Sequence, residues 1–346
     1  TQKLSFNYVD EDSSIVGEEA FMNPANNEVL TLGYFVGQDF DLFHVDLGIR
    51  LDQVTRSGSV TDEEHGDVDN FTIDDDVSSF AVSLGRDLSD TLELNLGFSS
   101  VERLPSVIEL FMNGPHMATG RFEAGDPTLS SETSNNFDIS LNFSNGEYFA
   151  YASFFINDVD NYIALIDEDE DHEDEDQHHE DENAHDDEHD HGNLIHANYA
   201  QEDAEFDGYE IEFGRTFDLG AGEMTLSFGR DVVNAKFTDG HNVPRINPAR
   251  NIYSLSYAQD DIVFKLHLKD VEKQSDIGKG ETTTAGYQML DTRLTKKFDL
   301  SGKGELKVSL FGRNLLDEAA RNHASFVKNE VPLPGKNYGI KFNLTY

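Results

Sequence analysis

Residues 166–192 read IDEDEDHEDEDQHHEDENAHDDEHDHG. Sixteen Asp and Glu, from Asp167 to Asp190, are interleaved with six histidines: His172, His178, His179, His185, His189 and His191. His196 follows shortly after. Neutral imidazole with carboxylate is a borderline ligand set, suited to Zn²⁺ and also to Ni²⁺ or Cu²⁺. Ca²⁺ and Mg²⁺ take oxygens alone, and a merely solubilising run needs no histidine. No spacing here defines one tetrahedron. HEDEDQHH, HDDEH and HDH offer overlapping partial sets, which predicts several weak, exchanging sites. The run cannot build a packed core, and self-repulsion keeps it extended and solvated. Its carboxylates favour imidazolium, raising the histidines above their ordinary pKa of about 6.5. Metal must displace those protons, so capture weakens in mild acid. An inert charged spacer is the competing reading.

The formal charge is −43 over 346 residues, and much of it lies outside this run. Clustered Lys and Arg of the kind that phosphate backbones require are missing, which argues against a nucleic-acid partner. The chain has no cysteine, so neither disulfides nor thiolate metal sites form. No stretch of eighteen apolar residues occurs, which excludes a transmembrane helix. The opening TQKLSFNYVDEDSS has neither the basic start nor the apolar centre of a signal peptide. It reads as a mature start or as the interior of a longer protein. No Gly-rich phosphate loop, zinc-protease element or nucleophile with its base is visible, so the chain does not read as an enzyme and calls for no catalytic cofactor.

The elements that must position the acidic run are strands. HVDLGIRLD (44–52) sets Val45, Leu47, Ile49 and Leu51 against His44, Asp46, Gly48, Arg50 and Asp52. TLELNLGFSS (91–100) and IVFKLHLK (262–269) alternate in the same way. Soluble sandwiches alternate too, but here the links are ordered as well. Short, turn-rich links near 39–42, 88–90, 144–147, 218–222, 259–261 and 299–303 alternate with long polar ones at 9–27, 54–76, 101–132, 160–205, 233–248, 271–285 and 314–335. Short turns at one end and long loops at the other are the mark of an outer-membrane barrel, with the long loops outside. About fourteen strands are predicted, and the last closes on Tyr346. Apolar faces then meet lipid and polar faces the lumen, where His44 and His267 fall as wall residues. Parity puts the 160–205 link, with its acidic run, on the cell's outer face.

Two segments carry a family resemblance. SSVERLPSVIELFMNGPHMATGRFEAGDPTLSSETSNNFDISL (99–141) resembles an internal signature of TonB-dependent receptors, and FGRNLLDEAARNHASF (311–326) with PLPGKNYGIKFNLTY (332–346) resembles their closing segment. FINDVDNYIAL (155–165) and HNVPRINPAR (241–250) are similar as well. NGPHMATGRFEAGDP and ARNHASF are similar to the zinc-importing, ZnuD-like branch of that family. The resemblance implies an all-β fold, an antiparallel transmembrane β-barrel in the outer membrane of a Gram-negative bacterium. About fourteen strands are visible of about twenty-two in such a receptor. It implies a lipid surround, a plug domain, which residues 1–346 lack, and through that plug a TonB energy-coupling partner. Zinc is the implied cargo.

A transport site also needs rigid ligands. His116 lies in the signature loop near Glu109, Glu123 and Asp126, and His323 in another outer loop. The resemblance makes both candidate metal ligands, although a lone histidine in a polar loop is more often a hydrogen-bonding residue. Three other readings stay open: a receptor for haem or a metal chelate such as a siderophore, favoured by Phe111, Met112, Arg121 and Phe122; a passive, cation-selective fourteen-stranded porin; and a metal-buffering surface protein with no transport role.

Overall fold

The computed structural model describes residues 1–17, 20–61, 65–168, 194–302 and 304–346. Among these residues there is one sheet, antiparallel except where β7 meets β10, and a single short helix. In chain order the elements are β1 (Gln2–Ser13), β2 (Ala25–Asp39), β3 (His44–Thr61), β4 (Val68–Ser89), β5 (Leu92–Arg103), α1 (Val107–Phe111), β6 (Asn113–His116), β7 (Arg121–Ala124), β8 (Glu132–Ser144), β9 (Tyr148–Asp167), β10 (Ile195–Asp218), β11 (Glu223–Phe237), β12 (Arg250–Gln259), β13 (Ile262–Val271), β14 (Tyr287–Asp299), β15 (Glu305–Arg313) and β16 (Asn337–Thr345). Fourteen strands follow one another as neighbours from β1 to β16, and only the β6–β7 hairpin stands off this path. The sheet is open, since β1 and β16 are not paired with each other.

Two-sided alternation accounts for the architecture. On β16, Tyr338, Ile340, Phe342 and Leu344 are all more than half exposed. They stand in register with Gly312, Leu310, Val308 and Leu306 of β15. Leu47, Ile49 and Leu51 on β3 and Leu30, Leu32 and Tyr34 on β2 lie open in the same way. A soluble sheet would bury such a face; a membrane barrel turns it to lipid and satisfies every backbone group within the ladder. Polar side chains alternate onto the other face, where His44 reaches Asp39 and Asp46 at 2.5 and 2.9 Å and His267 meets Ser254 at 3.1 Å.

The link pattern holds, but the long links are shorter than their polarity suggests. β3 runs on to Thr61 and β4 begins at Val68, so most of 54–76 is paired strand. The 160–205 link likewise contains the end of β9 and the first eleven residues of β10, and residues 169–193 lie outside the described residues. Beyond lipid a strand needs no apolar face; the extensions are stitched by polar cross-strand pairs such as Thr55–Asp74 (2.6 Å) and Arg56–Asp75. At 24 residues β10 is about 80 Å long, far more than a bilayer crossing needs. Among the described residues the packed core clusters lie at this outer end. Met22, Ala25, Leu110 and Phe111 make one; Ala164, Ala204, Ala235, Phe237 and Val243 make the other.

Candidate functional site

The 104–131 link is built inward and locked. Pro105 precedes Ser106, which caps α1: its Oγ accepts the Glu109 N–H, and Glu109 Oε2 accepts the Ser106 N–H at 2.7 Å. Arg103 then clamps Glu109 and Glu132, each at 2.9 Å. Asp126 accepts the N–H of Thr128 at 2.7 Å, and its own N–H donates to Glu109 O. The signature acids Glu109 and Asp126 therefore fix the loop and do not join His116. Arg56, buried beneath, donates to Pro105 O at 2.6 Å.

What this lock presents is the β6–β7 hairpin. β7 pairs parallel to the start of β10, with Arg121 opposite Ile195 and Phe122 opposite His196. Register puts His116, Arg121 and Ile195 on one face and Pro115, Phe122 and His196 on the other. His116 Nδ1 meets the buried Glu123 at 3.0 Å, Thr119 Oγ1 donates to the same carboxylate oxygen at 2.5 Å, and Phe21 lies 4.4 Å from the imidazole ring. His196 stacks on Phe122 at 5.3 Å. His116 and His196 thus share a three-stranded patch but face opposite ways. His172, His178, His179, His185, His189 and His191 lie outside the described residues. The two ends of their segment, Glu168 and Leu194, emerge beside this hairpin, and Glu168 N–H donates to His196 O at 2.9 Å.

Arg121 forms a buried, bidentate pair with Asp167, 2.7 and 2.6 Å per arm, and its Nη1 donates to Thr119 O. Its guanidinium also lies 4.7 Å from the Phe326 ring centroid; that of Arg245 lies 4.2 Å from the same ring. Arg245 donates to Leu165 O, and burial lowers its pKa. A cleft of about 660 Å³ opens here, lined by Arg121, Arg245, Phe326, Lys328 and Ile195.

His323 is sealed under the cleft's far wall. Thr284 Oγ1 (2.8 Å) and Lys328 Nζ (3.2 Å) both point at its Nδ1, which leaves the ring proton on Nε2. Nε2 has no hydrogen-bond partner and faces Glu281 Oε2 at 3.6 Å. Burial opposes the charge on Glu281, but the His323 ring and the N–H groups of Gly278 and Arg245 hold its pKa below the ordinary value. Burial likewise lowers Lys328. The candidate ligands His116, His196 and His323 are therefore separately engaged. Among the described residues no three His, Asp or Glu side chains converge as a metal site. Sequence reasoning did not single out Asp167, Arg245, Glu281, Phe326 or Lys328. Nothing but tertiary pairing distinguishes them from the other residues of polar loops.

A family model described as TonB-dependent receptor-like, β-barrel, matches residues 3–315. The fold is similar to that of the copper transporter OprC, at a TM-score of 0.73 and 18% identity, covering 94% of this chain and 49% of that one. It is also similar to the FrpB iron transporter from Neisseria meningitidis (0.61, 13%, covering 92% and 45%). The ferric-catecholate import receptor Fiu from E. coli is similar at 0.60 and 15%, covering 98% and 50%. These identities show shared fold alone. The chain spans about half the length of the structures it matches.

Proposed function

The chain belongs to the TonB-dependent receptor-like β-barrel family, and from that membership we propose that it forms the barrel of an outer-membrane importer of metal, with zinc as cargo. Members of this family are outer-membrane proteins of Gram-negative bacteria and transporters, not enzymes. The 166–192 run gathers cations at the mouth and raises their local concentration. His116 and His196 are the fixed imidazoles to which a captured ion passes, while His323, sealed and engaged by Thr284 and Lys328, is not one of them. Movement through the barrel then needs a plug and a TonB partner, as the family implies. The observation that carries this reading is where the acidic, histidine-rich run is rooted: its ends leave from Glu168 and Leu194, against the hairpin that bears His116. Imidazole and carboxylate without thiolate suit Zn²⁺, Ni²⁺ and Cu²⁺, and zinc is taken from the resemblance to zinc importers.

Calorimetric titration near neutral pH tests it, using Zn²⁺, Ni²⁺, Cu²⁺, Ca²⁺ and haem on the intact chain and on one lacking 169–192, which keeps Asp167 and its pair with Arg121. Several weak Zn²⁺ sites that vanish with the run, over a tighter site that stays, would support it. A run that takes Ca²⁺ as readily as Zn²⁺, with no tighter site behind it, would sink it. A second reading, uptake of an anionic metal chelate, is favoured by the cleft in which Arg121, Arg245 and Lys328 surround Phe326. Haem heat released in the cleft, lost in Arg245→Gln and untouched by removing the run, would favour that reading.

A further inference from the structure

Charge on the lipid-facing side of the sheet is divided by height. Register carries that face from strand to strand: Leu84 on β4 lies opposite Leu96, Phe213 on β10 opposite Phe228, and Leu294 on β14 opposite Leu310. Leu84, Phe213, Leu294 and Leu310 are all exposed. Above this apolar band, towards the long links, the same face is acidic, with Asp10, Asp76, Asp158, Asp207 and Asp270 on it. Below the band, towards the short turns, its charged strand residues are Arg86, Arg215 and Lys296. Among the described strands no Asp or Glu joins them there. The three positions are equivalent. Each stands three residues before the end of a strand that descends to a short turn: Ser89 of β4, Asp218 of β10 and Asp299 of β14. On β10, Asp207 and Arg215 are eight residues apart. That is about 27 Å of strand, comparable with an apolar barrel band about 25 Å tall.

These cations turn away from the lumen, so no plug can answer them. Arg86 and Lys296 are exposed and in no ion pair among the described residues. Lys296 Nζ lies 5.3 Å from the Phe298 ring, and the Arg215 guanidinium lies 4.8 and 4.5 Å from the rings of Tyr148 and Phe217. Arg215 gives one arm to Glu147, while its buried Nε has no hydrogen-bond partner among the described residues. A ring beside a cation holds the stem at the edge of the hydrocarbon and leaves the charge towards the headgroups. A cation there is tolerated, and it is stabilised when an anion meets it. The anion found at that height beside an apolar face is the phosphate of a glycerophospholipid, whose acyl chains run on along the strands. A soluble acidic protein would instead approach past Asp41, Asp90, Asp260 and Asp261 of the short turns, which repel it. We propose that Arg86, Arg215 and Lys296 form a rim that binds anionic glycerophospholipid of the periplasmic leaflet, phosphate on the cations and chains along Leu84, Phe213 and Leu294. The rim needs the membrane barrel but not the metal, so it stands or falls independently of the zinc reading.

The test is native mass spectrometry of the full-length receptor from micelles holding equal amounts of dioleoyl-phosphatidylglycerol and dioleoyl-phosphatidylcholine, which share acyl chains and differ in net charge. The phosphatidylglycerol adduct should exceed the phosphatidylcholine adduct by about fivefold. Arg86→Gln, Arg215→Gln and Lys296→Gln together should bring the two within about twofold of each other. Lys265→Gln, Lys297→Gln and Lys307→Gln together, an equal loss of charge on the lumen face, should leave the preference as in the parent. Folding is checked by melting temperature: the first triple variant gives up a single half-exposed ion pair and should melt near the parent. Single Lys296→Gln and Lys297→Gln, neighbours on opposite faces of β14, repeat the contrast with one charge, and only the first should lower the preference. Parity of the two lipids on the parent would overturn the proposal, as would equal losses in the two triple variants. Displacement of the lipid by an equal amount of glycerol phosphate, the anion without its chains, would also overturn it, leaving a phosphate site that is no lipid site.

Discussion

The Arg121–Asp167 pair joins the signature hairpin to the tip of β9, and its removal has a calculable effect. The two side chains are 8% and 4% exposed, and both arms of the fork are short. Arg121→Met leaves Asp167 ionised and buried without its partner, which costs about 3–5 kcal/mol. Replacing both members by apolar groups, Arg121→Met with Asp167→Leu, removes the stranded charge and recovers most of that loss. The energy is local: it holds β7 against the first residues of β10, so the readout is amide hydrogen exchange over 121–124 and 195–198. At tenfold per about 1.4 kcal/mol, the single variant should open this ladder roughly a hundredfold to a few thousandfold more often. The double variant should return to within about tenfold of the parent. If the single variant exchanges like the parent, or the double variant like the single, the pair does not hold the hairpin and the reasoning fails.

Four further outcomes can be measured. A Cβ at Gly58 would fall 2.4 Å from the Phe111 ring, so Gly58→Ala should expel that ring and loosen α1, seen as faster exchange over 107–112. Glu281 is held below its ordinary 4.5, so its tie to the 314–336 link is fully present above that pH and lost as pH falls through the lowered value. Protection over 282–284, taken relative to the intrinsic exchange rate at each pH, should fall in acid, and Glu281→Gln should show no such fall. His323→Ala should cost about 1–3 kcal/mol of that link's stability by leaving the buried Thr284 hydroxyl without its partner, while Lys328 keeps Thr282 O. Zinc capture by the 166–192 run should weaken between neutral pH and about pH 5, because protons compete for the imidazoles; calorimetry showing pH-independent capture would exclude histidine ligation.

Strand phase was legible because lipid and water impose opposite demands on alternate residues. The pattern at 44–52 sufficed to identify the lipid face, and link parity identified the loop end. Strand ends were less legible. Outside lipid the alternation dissolves, and VDNFTIDDD (68–76) reads as loop although it pairs with β3 throughout. The site was legible in outline only. His116, His196 and His323 stand out by type, and their neighbourhoods depend on pairs far apart in sequence. Arg121 finds Asp167 across 46 positions, and Asp167 is one of 68 acids with nothing local to mark it. Arg103, Ser106, Glu109 and Asp126 were visible as a motif; their work in locking a loop was not.

The central claim is that histidines in the acidic run collect zinc for import. The most direct measurement is uptake of radiolabelled zinc, at limiting concentration, by cells carrying the full-length receptor. Three forms are compared: the parent, one lacking 169–192 so that Asp167 still pairs with Arg121, and one with His172, His178, His179, His185, His189 and His191 all changed to Asn while every acid is kept. The account predicts that uptake falls in both altered forms and is restored by raising zinc. Parental uptake by the histidine-free form at limiting zinc would contradict it, leaving the run as a curtain of charge.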